Sequence, residues 1–355
     1  MRMLFDCLPL AITVAICLLA RPIGEALCVL DCPDEVRKSH ARPTPMVGGI
    51  AVVASLVIWS AGKIVWGPGG EADFHLAILL CGGGVAVLGF MDDQGGISAG
   101  GRLLLIAIFS VIALHLDPLL TPDRLHLEAG IWMAAPPLLM SAVTVLALAG
   151  FSSAVNMADG LNGMVLAFVC IWSLCLAFVG GTEVAAAAAV IGSASLLALM
   201  FNFRGRLFLG NCGAFTLAFV IGLLAVRSHD SGHLLLETAL VWFYLPVLDC
   251  LRMITVRLWH GRSPFTPDRE HFHHRLAARF GERWAIAIYA GLVGSTSLLA
   301  TLVPQLAVFG LMMATAVFGG FLFADSLAAR GSIAGSSLPL STTAFALDKK
   351  LVKGP

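Results

Sequence analysis

Two adjacent acids, Asp92 and Asp93, end the apolar stretch at 75–91. An acid at the edge of a membrane is costly to insert, by about 2.5–3.5 kcal/mol, and usually has a function. Two neighbouring carboxylates also repel each other, so they favour a cation between them. The alternative is that both are solvated residues just past a helix end. Three further polar clusters favour the functional interpretation, and they lie at 37–45, 156–162 and 268–274.

The first cluster, RKSHARPTP at 37–45, is basic and stiffened by prolines. One interpretation is that these basic residues only keep the loop on the cytoplasmic side of the membrane, since cytoplasmic loops are routinely basic. The loop can also bind phosphate, since Arg offers a bidentate fork and Lys a point charge to phosphate oxygens. The residues that we assign to this candidate phosphate clamp are Arg37, Lys38 and His40.

The second cluster, NMADGLNG at 156–163, repeats a polar side chain every three residues. Asn156, Asp159 and Asn162 carry it, and the glycines let the backbone approach a ligand closely. An N-cap of the following helix would explain one of these residues. It does not explain three.

Two later segments add amides, aromatic residues and histidines. The segment 202–213 contains Asn202, Phe208 and Asn211 beside glycines at a helix start, which is a generic anion site when taken alone. The segment 268–275 is the densest cluster. Clustered histidines flanked by arginine suit either a metal or a diphosphate. Its candidate ligands are Arg269, His271, His273 and His274.

The composition defines the class of protein that must position these residues. The chain has 355 residues, of which 58% are hydrophobic and only 12% charged, and its mean hydropathy is +0.90. Soluble proteins are about 25% charged, so these values indicate an all-α polytopic membrane protein. The net charge of zero gives no reason to expect nucleic acid as a partner. The nine cysteines lack metal-binding spacings and are expected to be packing residues.

A helix needs about 20 apolar residues to cross a bilayer. On that basis the sequence predicts about eleven transmembrane helices, the first being a true span rather than a cleaved signal peptide. The predicted spans are 3–20, 47–62, 75–91, 102–117, 134–152, 163–180, 183–201, 213–227, 237–257, 285–303 and 305–323.

Basic residues predict the orientation. Eighteen of the 22 Lys and Arg residues fall on one side of these spans and four on the other. The positive-inside rule then predicts an outside N-terminus, a cytoplasmic C-terminus and cytoplasmic polar clusters. Residues 1–325 are predicted to form one transmembrane domain and 326–355 a partly disordered cytoplasmic tail. Hard oxygen ligands beside phosphate-binding cations favour Mg²⁺, or alternatively Mn²⁺, and phosphoryl transfer.

With these motifs in order, the sequence resembles the polyprenyl-phosphate N-acetylhexosamine-1-phosphate transferases, which include MraY-type and WecA-type enzymes. The resemblance covers about Arg37 to Leu276. It rests on RKSHARPTPMVGG at 37–49, GFMDD at 89–93, NMADGLNG at 156–163, FNFRGRLFLGNCGAF at 201–215, PVLDCLR at 246–252 and DREHFHHRL at 268–276.

The resemblance implies transfer of a sugar 1-phosphate from a UDP-N-acetylhexosamine to undecaprenyl phosphate in the bacterial inner membrane. DREHFHH resembles the WecA type, which implies a small donor such as UDP-GlcNAc and a role in O-antigen or similar polysaccharide synthesis. The family leaves a homodimer open. The matching positions imply Mg²⁺ ligands at Asp92, Asp93 and Asn211, catalysis by these two acids with Asp159, uracil contacts at Asn202 and Phe208, and donor contacts at Asn156, His271, His273 and His274.

Two positions depart from the family pattern, because Asn162 and Asn211 stand where it commonly has Asp. The amide of Asn162 can still bind a substrate. The change at Asn211 is more serious, since a neutral amide attracts Mg²⁺ less than a carboxylate does. It keeps a second hypothesis open, a membrane protein that binds the lipid or the nucleotide sugar without turnover. An ion-coupled transporter is disfavoured because the acids lie at span ends.

Overall fold

Helices form nearly all of this protein, whose structure is a computed structural model describing residues 2–33, 42–67, 70–266 and 268–335. The helices of the described residues are α1 (Arg2–Leu18), α2 (Ala20–Ala26), α3 (Gly48–Trp66), α4 (Ala72–Ala77), α5 (Gly83–Gly95), α6 (Ala99–Leu116), α7 (Pro137–Ala158), α8 (Met164–Val179), α9 (Thr182–Asn202), α10 (Gly210–Asp230), α11 (Leu236–Trp259), α12 (Phe272–Phe280), α13 (Glu282–Leu302) and α14 (Ala307–Gly335).

Nine helical segments of the described chain are long and apolar enough to cross a membrane, or ten if the bent pair α1 and α2 forms one span. Helix α8 is apolar but only 16 residues long. Each predicted span coincides with a helix, so the class of helical polytopic membrane protein is confirmed. The number of spans and the orientation stay predictions.

Short strands interrupt the helices, which the all-α prediction did not include. Strand β1 (Leu30–Asp31) pairs antiparallel with β2 (Thr44–Pro45), and β3 (Arg124–His126) with β4 (Trp132–Ala134). The first pair matters for the site, because β2 leads directly into the start of α3. The backbone N–H of Phe208 donates to Pro45 at 2.8 Å, which joins the loop before α10 to this strand.

Helix α10 lies at the centre of the bundle. It packs against α3, α5, α7 and α8, and most of its residues are buried. Its sequence is apolar nearly all round, as expected for a helix surrounded by other helices. Helix α10 begins at Gly210, so a site at this residue is surrounded by several helices.

The third span is one continuous helical segment, in which a π-helical turn (Ile78–Gly82) joins α4 to α5. The helix ends at Gly95 because Gly96 adopts φ +78°, a backbone conformation that glycine tolerates and that commonly ends helices. This end carries Asp92 and Asp93 in its last turn. The sequence-predicted position of the two acids at a span end is therefore confirmed.

The opposite end of the bundle is held by ion pairs. Arg227 of α10 is buried and pairs with both Asp117 and Glu71. Lys63 of α3 lies 2.8 Å from Glu183 of α9. These contacts join α10 to the residue before α4 and the residue after α6, and α3 to α9, at the end remote from the polar motifs.

The chain divides into two compact units, Met1–Ala314 and Thr315–Pro355. The first contains every site residue discussed below. In the second, α14 continues to Gly335, so residues 326–335 of the predicted tail are helical, and the rest of that tail lies outside the described residues. The domain boundary at 325 stays a prediction.

Candidate functional site

An open cavity of about 350 Å³ lies where the polar motifs meet. Its lining comes from four of the six motifs, at 37–49, 89–93, 156–163 and 201–215, together with Asp31 and Glu282, which lie more than 200 positions apart in the sequence. Its lining residues are Asp31, Met46, Asp93, Asn156, Asp159, Gly160, Leu161, Asn162, Asn202, Phe208, Leu209, Gly210, Asn211 and Glu282. Seven of the predicted site residues are among them.

Asp93 faces this cavity and also accepts hydrogen bonds from the start of α10. Its two carboxylate oxygens accept the backbone N–H groups of Asn211 at 2.8 Å and Cys212 at 3.1 Å. A helix N-terminus favours a negative charge because its first N–H groups lack partners within the helix and its dipole is positive at that end. Gly210 makes this approach feasible, because a Cβ atom there would lie 2.7 Å from Asp93 Oδ2 and its φ is +75°.

Asp92 points elsewhere. Its side chain is only 2% exposed, and it does not line the cavity. One oxygen accepts the backbone N–H of Ile97 at 2.8 Å, and the other accepts hydrogen bonds from Arg102 at 2.6 Å and from the amide of Asn211 at 2.9 Å. Sequence reasoning missed Arg102, which lies in the next helix. The two acids predicted to bind the metal therefore have different partners, Arg102 and Asn211 for Asp92 and the start of α10 for Asp93.

The amides of Asn211 and Asn156 form a second link between helices. Asn156 Nδ2, on the last turn of α7, donates to Asn211 Oδ1 at 2.8 Å. Asn211 in turn donates to Asp92 of α5. The side chain predicted as a metal ligand is therefore already engaged on both of its polar atoms.

Asp159 and Asn162 lie in the loop between α7 and α8. Asp159 follows the last residue of α7, and both side chains line the cavity. Loss of hydration, and then the charge of Asp93, raise the pKa of Asp159 to about 7. This acid can consequently hold a proton near neutral pH.

The two residues expected to contact uracil also line the cavity. Asn202 is 2% exposed, and its Nδ2 donates to the carbonyl of Leu207 at 2.9 Å. Its Oδ1 has no partner within the described structure. Phe208 is half-buried beside it in the loop that pairs with β2. A buried carbonyl oxygen without a partner is costly, and because this one has almost no exposed surface, a ligand reaches it only if the side chain turns toward the cavity.

The histidine motif is anchored by α11. Nδ1 of His271 donates to Asp249 at 2.8 Å, while Arg257 lies 3.3 Å from its Nε2. Because a guanidinium only donates, Nε2 must be the unprotonated nitrogen. Asp249 also pairs at 2.8 Å with Arg252, which lies three residues further along α11. Both ring nitrogens of His271 are thus occupied by protein groups.

His273 is fully buried behind the cavity wall. Neither ring nitrogen has a partner in the described residues, and a Cβ atom on Gly160 would lie 2.2 Å from its Nε2. Burial, and then the neighbouring histidines His274 and His271, lower its pKa to about 3, so the ring is neutral. Burial also lowers the pKa of the half-buried His274.

The remaining predicted binding residues are basic. Arg269 is exposed in the loop before α12 and does not line the cavity. Arg37, Lys38 and His40 lie outside the described residues. The cavity contains instead two acids that sequence reasoning did not select, Asp31 and Glu282. They come from β1 and the start of α13, and only the folded chain brings them here.

The lining is strongly acidic. It includes four carboxylates, Asp31, Asp93, Asp159 and Glu282, and no Lys, Arg or His among the residues that the structure describes. An anionic phosphate ligand would be repelled unless a cation accompanied it. The same ranges of chain contain no ready-made group of three His, Cys, Asp or Glu residues for a metal. Mg²⁺, however, usually binds one or two carboxylates, waters and substrate phosphates, which Asp93 and Asp159 fit.

Fold and site together define a helical integral membrane protein with an acidic cavity at one end of its bundle. Residues 75–229 match the family described as glycosyl transferase family 4. The chain is 30% identical over 312 residues to the undecaprenyl-phosphate alpha-N-acetylglucosaminyl 1-phosphate transferase of Salmonella typhi, with 81% of each chain covered. The protein therefore belongs to this family of transferases.

Two further relatives have the same name. The protein of Escherichia coli (strain K12) is 28% identical over 296 residues, with 79% of each chain covered. The protein of Yersinia pestis is 26% identical over 327 residues, which cover 87% of this chain and 88% of the relative. The resemblance to this family is thereby confirmed over most of the chain.

Proposed function

We propose that this protein transfers a HexNAc-1-phosphate, with GlcNAc-1-phosphate as the expected unit, from a UDP-sugar to undecaprenyl phosphate. The names of the relatives support the acceptor and the sugar phosphate. The observation that carries the proposal for this chain is the acidic cavity in which Asp93, Asp159 and Asn202 converge. Family membership and cavity agree on phosphoryl transfer.

The proposed reaction exchanges one diphosphate bond for another. An oxygen of the lipid phosphate attacks the phosphorus that bears the sugar, and the bond from that phosphorus to the UMP oxygen breaks. The products are UMP and a lipid-linked diphosphate sugar. A divalent cation, when bound, would neutralise phosphate charge in the acidic cavity. Asp93 and Asp159 are the residues that would hold it.

The other residues bind and orient. Asn202 Oδ1 would accept a hydrogen bond from the imide N–H of uracil once its side chain turns toward the cavity, and Phe208 lines the same cavity as an apolar surface for the base. Without a cation, burial raises the pKa of Asp159 to about 7, and a bound divalent cation would displace the proton. His273 fixes the wall behind Gly160 and, being neutral, adds no charge there.

We further propose that the cavity faces the cytoplasm of a bacterial inner membrane, where nucleotide sugars are found. The bias of basic residues supports this orientation. The reaction would be the first membrane step of a cell-surface polysaccharide such as O-antigen. A homodimer stays an open expectation.

One assay tests the proposal. Purified protein is given undecaprenyl phosphate, Mg²⁺ and a panel of UDP-sugars, and UMP release is measured. We expect turnover with UDP-GlcNAc or a related UDP-HexNAc and none with the UDP-MurNAc-pentapeptide donor. Incorporation of MurNAc-pentapeptide into lipid, with no GlcNAc product, would reverse the donor assignment.

The second candidate function is binding without turnover, which the amide at Asn211 favours. A binder would retain UDP-sugar or lipid in an equilibrium assay and release no UMP with any donor. The same protein preparation therefore separates the two functions.

A further inference from the structure

Asn211 makes three hydrogen bonds that connect three helices at the cavity. Its backbone N–H donates to Asp93 at 2.8 Å, and its side-chain Nδ2 donates to Asp92 at 2.9 Å. Its Oδ1 accepts Nδ2 of Asn156 at 2.8 Å. The residue stands at the start of α10, while its partners lie on the last turns of α5 and α7.

The chemistry of the partners determines which way this amide points. Asp92 already accepts hydrogen bonds from Arg102 and from the backbone of Ile97, and an ionised carboxylate has no hydrogen to donate. The group of Asn211 that faces Asp92 must therefore be the NH₂ group. The carbonyl oxygen is then left to face Asn156, which presents its own NH₂ group.

A carboxylate could not replace this amide with the same geometry. An aspartate at position 211 would place one of its oxygens 2.9 Å from an oxygen of Asp92, where two acceptors repel. It would also add a charge to a cavity that already has four acids in its lining. The neutral amide avoids both penalties.

We propose that Asn211 is a positioning residue that requires an amide, and that it clamps α5, α7 and α10 together through Asp92 and Asn156. It orients Asn156 at the cavity wall and fixes the helix end that holds Asp93. On this proposal a bound divalent cation would be held by Asp93 and Asp159, and Asn211 would not act in place of an anionic ligand. The proposal rests on the proposed function only where catalytic activity is the readout.

Two matched substitutions test the clamp in the full chain reconstituted in nanodiscs. Asn211→Asp removes the donor to Asp92, and Asn162→Asp makes the same chemical change at an exposed asparagine of the same cavity. We expect Asn211→Asp to lower the thermal unfolding midpoint by a few degrees and Asn162→Asp to leave it unchanged. A wild-type midpoint in Asn211→Asp would overturn the clamp.

Metal binding separates a clamp from a weakened metal ligand, because only a ligand would gain affinity from a new negative charge. Mn²⁺ is titrated into wild type and into Asn211→Asp, and the free Mn²⁺ is measured by electron paramagnetic resonance. This measurement requires no turnover. A clamp predicts that Asn211→Asp gains no affinity for Mn²⁺ over wild type. If Asn211 is instead a weakened metal ligand, the new carboxylate binds Mn²⁺ several-fold more tightly, and this result would overturn the proposal.

The exchange variant Asp92→Asn/Asn211→Asp is the rescue test. It places an amide donor opposite a carboxylate acceptor again, with the total charge of the pair unchanged. Because Asp92→Asn alone leaves Arg102 without its anion, the exchange is compared with both single variants. We expect the double variant to lose less unfolding free energy than the sum of the two single losses, and additive losses would count against the clamp. Absence of UMP release by wild type with every donor would refute the proposed function alone, because the midpoints and the Mn²⁺ titration do not depend on it.

Discussion

His271 Nδ1 lies 2.8 Å from a carboxylate oxygen of Asp249, so the histidine motif and α11 are joined by a charged hydrogen bond. Asp249 also accepts the backbone N–H of Phe272, the first residue of α12, and pairs with Arg252. One buried carboxylate thus receives the donors of three different residues. This arrangement makes His271 part of the anchor of α12, rather than a side chain free to reach the cavity.

We predict that Asp249→Asn destabilises the protein more than His271→Asn does. An asparagine at 249 presents an NH₂ group to donors that need an acceptor, which costs about 1–3 kcal/mol. Loss of His271 removes only one of these donors. Thermal unfolding measures both effects, with Thr255→Ala, an exposed change on the same helix, as the control. Equal midpoints for the Asp249 and His271 variants would contradict the anchor.

The sequence predicts the helices well, because a transmembrane helix requires about 20 mostly apolar residues in a row and such a run can be read without knowing which residues touch in the fold. Polar motifs at span ends also predict one shared site, because alternate span ends must lie on the same side. The cavity confirms this for Asp93, Asn156 and Asn202. Their metal-binding and catalytic roles stay predictions.

The sequence could not separate the roles of Asp92 and Asp93. Successive residues of a helix point in directions about 100° apart, so neighbours in sequence meet different partners. The partners that distinguish these acids, Arg102 and the start of α10 at Asn211, lie 10 and more than 100 positions away. Periodicity carries no information about such contacts.

Gly160 is predicted to be intolerant of a side chain. A Cβ atom there would lie 2.2 Å from Nε2 of His273, whose ring is fully buried and cannot move freely. Overpacking of this kind costs about 1–3 kcal/mol. We expect Gly160→Ala to lower both the unfolding midpoint and UMP release.

The matched control for that substitution is the double variant Gly160→Ala/His273→Ala. Because the clash partner is gone, its destabilisation should be smaller than the sum of the two single effects. Additive losses of unfolding free energy would show that the alanine at 160 clashes with something other than His273.

Buried His273 predicts a pH dependence of stability. Its folded pKa of about 3 is below the unfolded value near 6.5, so the unfolded chain binds a proton first as the pH falls. Stability should therefore decrease from about pH 6.5 downward, on the order of 2 kcal/mol by pH 5 for this residue alone. His273→Asn should reduce the slope of unfolding midpoint against pH. His115→Gln, at an exposed histidine, should leave it unchanged.

The last prediction separates the two adjacent acids. Asp93 faces the cavity, so Asp93→Asn should lower UMP release by about 100-fold or more. The substitution would remove a negatively charged ligand of the divalent cation, whose stabilisation of phosphate charge is worth several kcal/mol. Its unfolding midpoint should fall less than that of Asp92→Asn, because the amide oxygen still accepts one N–H group of α10 and Asp93 is half-buried at an open cavity, where water can accept the other.

Asp92→Asn should act differently, because Asp92 is buried between Arg102, Asn211 and the backbone of Ile97. An amide there leaves Arg102 without its anion, at a cost of about 1–3 kcal/mol, so a lower unfolding midpoint should accompany any loss of turnover. UMP release and thermal unfolding are measured on both variants beside Asp73→Asn, an exposed acid at the start of α4. Near wild-type turnover in Asp93→Asn, or equal midpoints in the two variants, would show that the different environments of these carboxylates do not determine their roles.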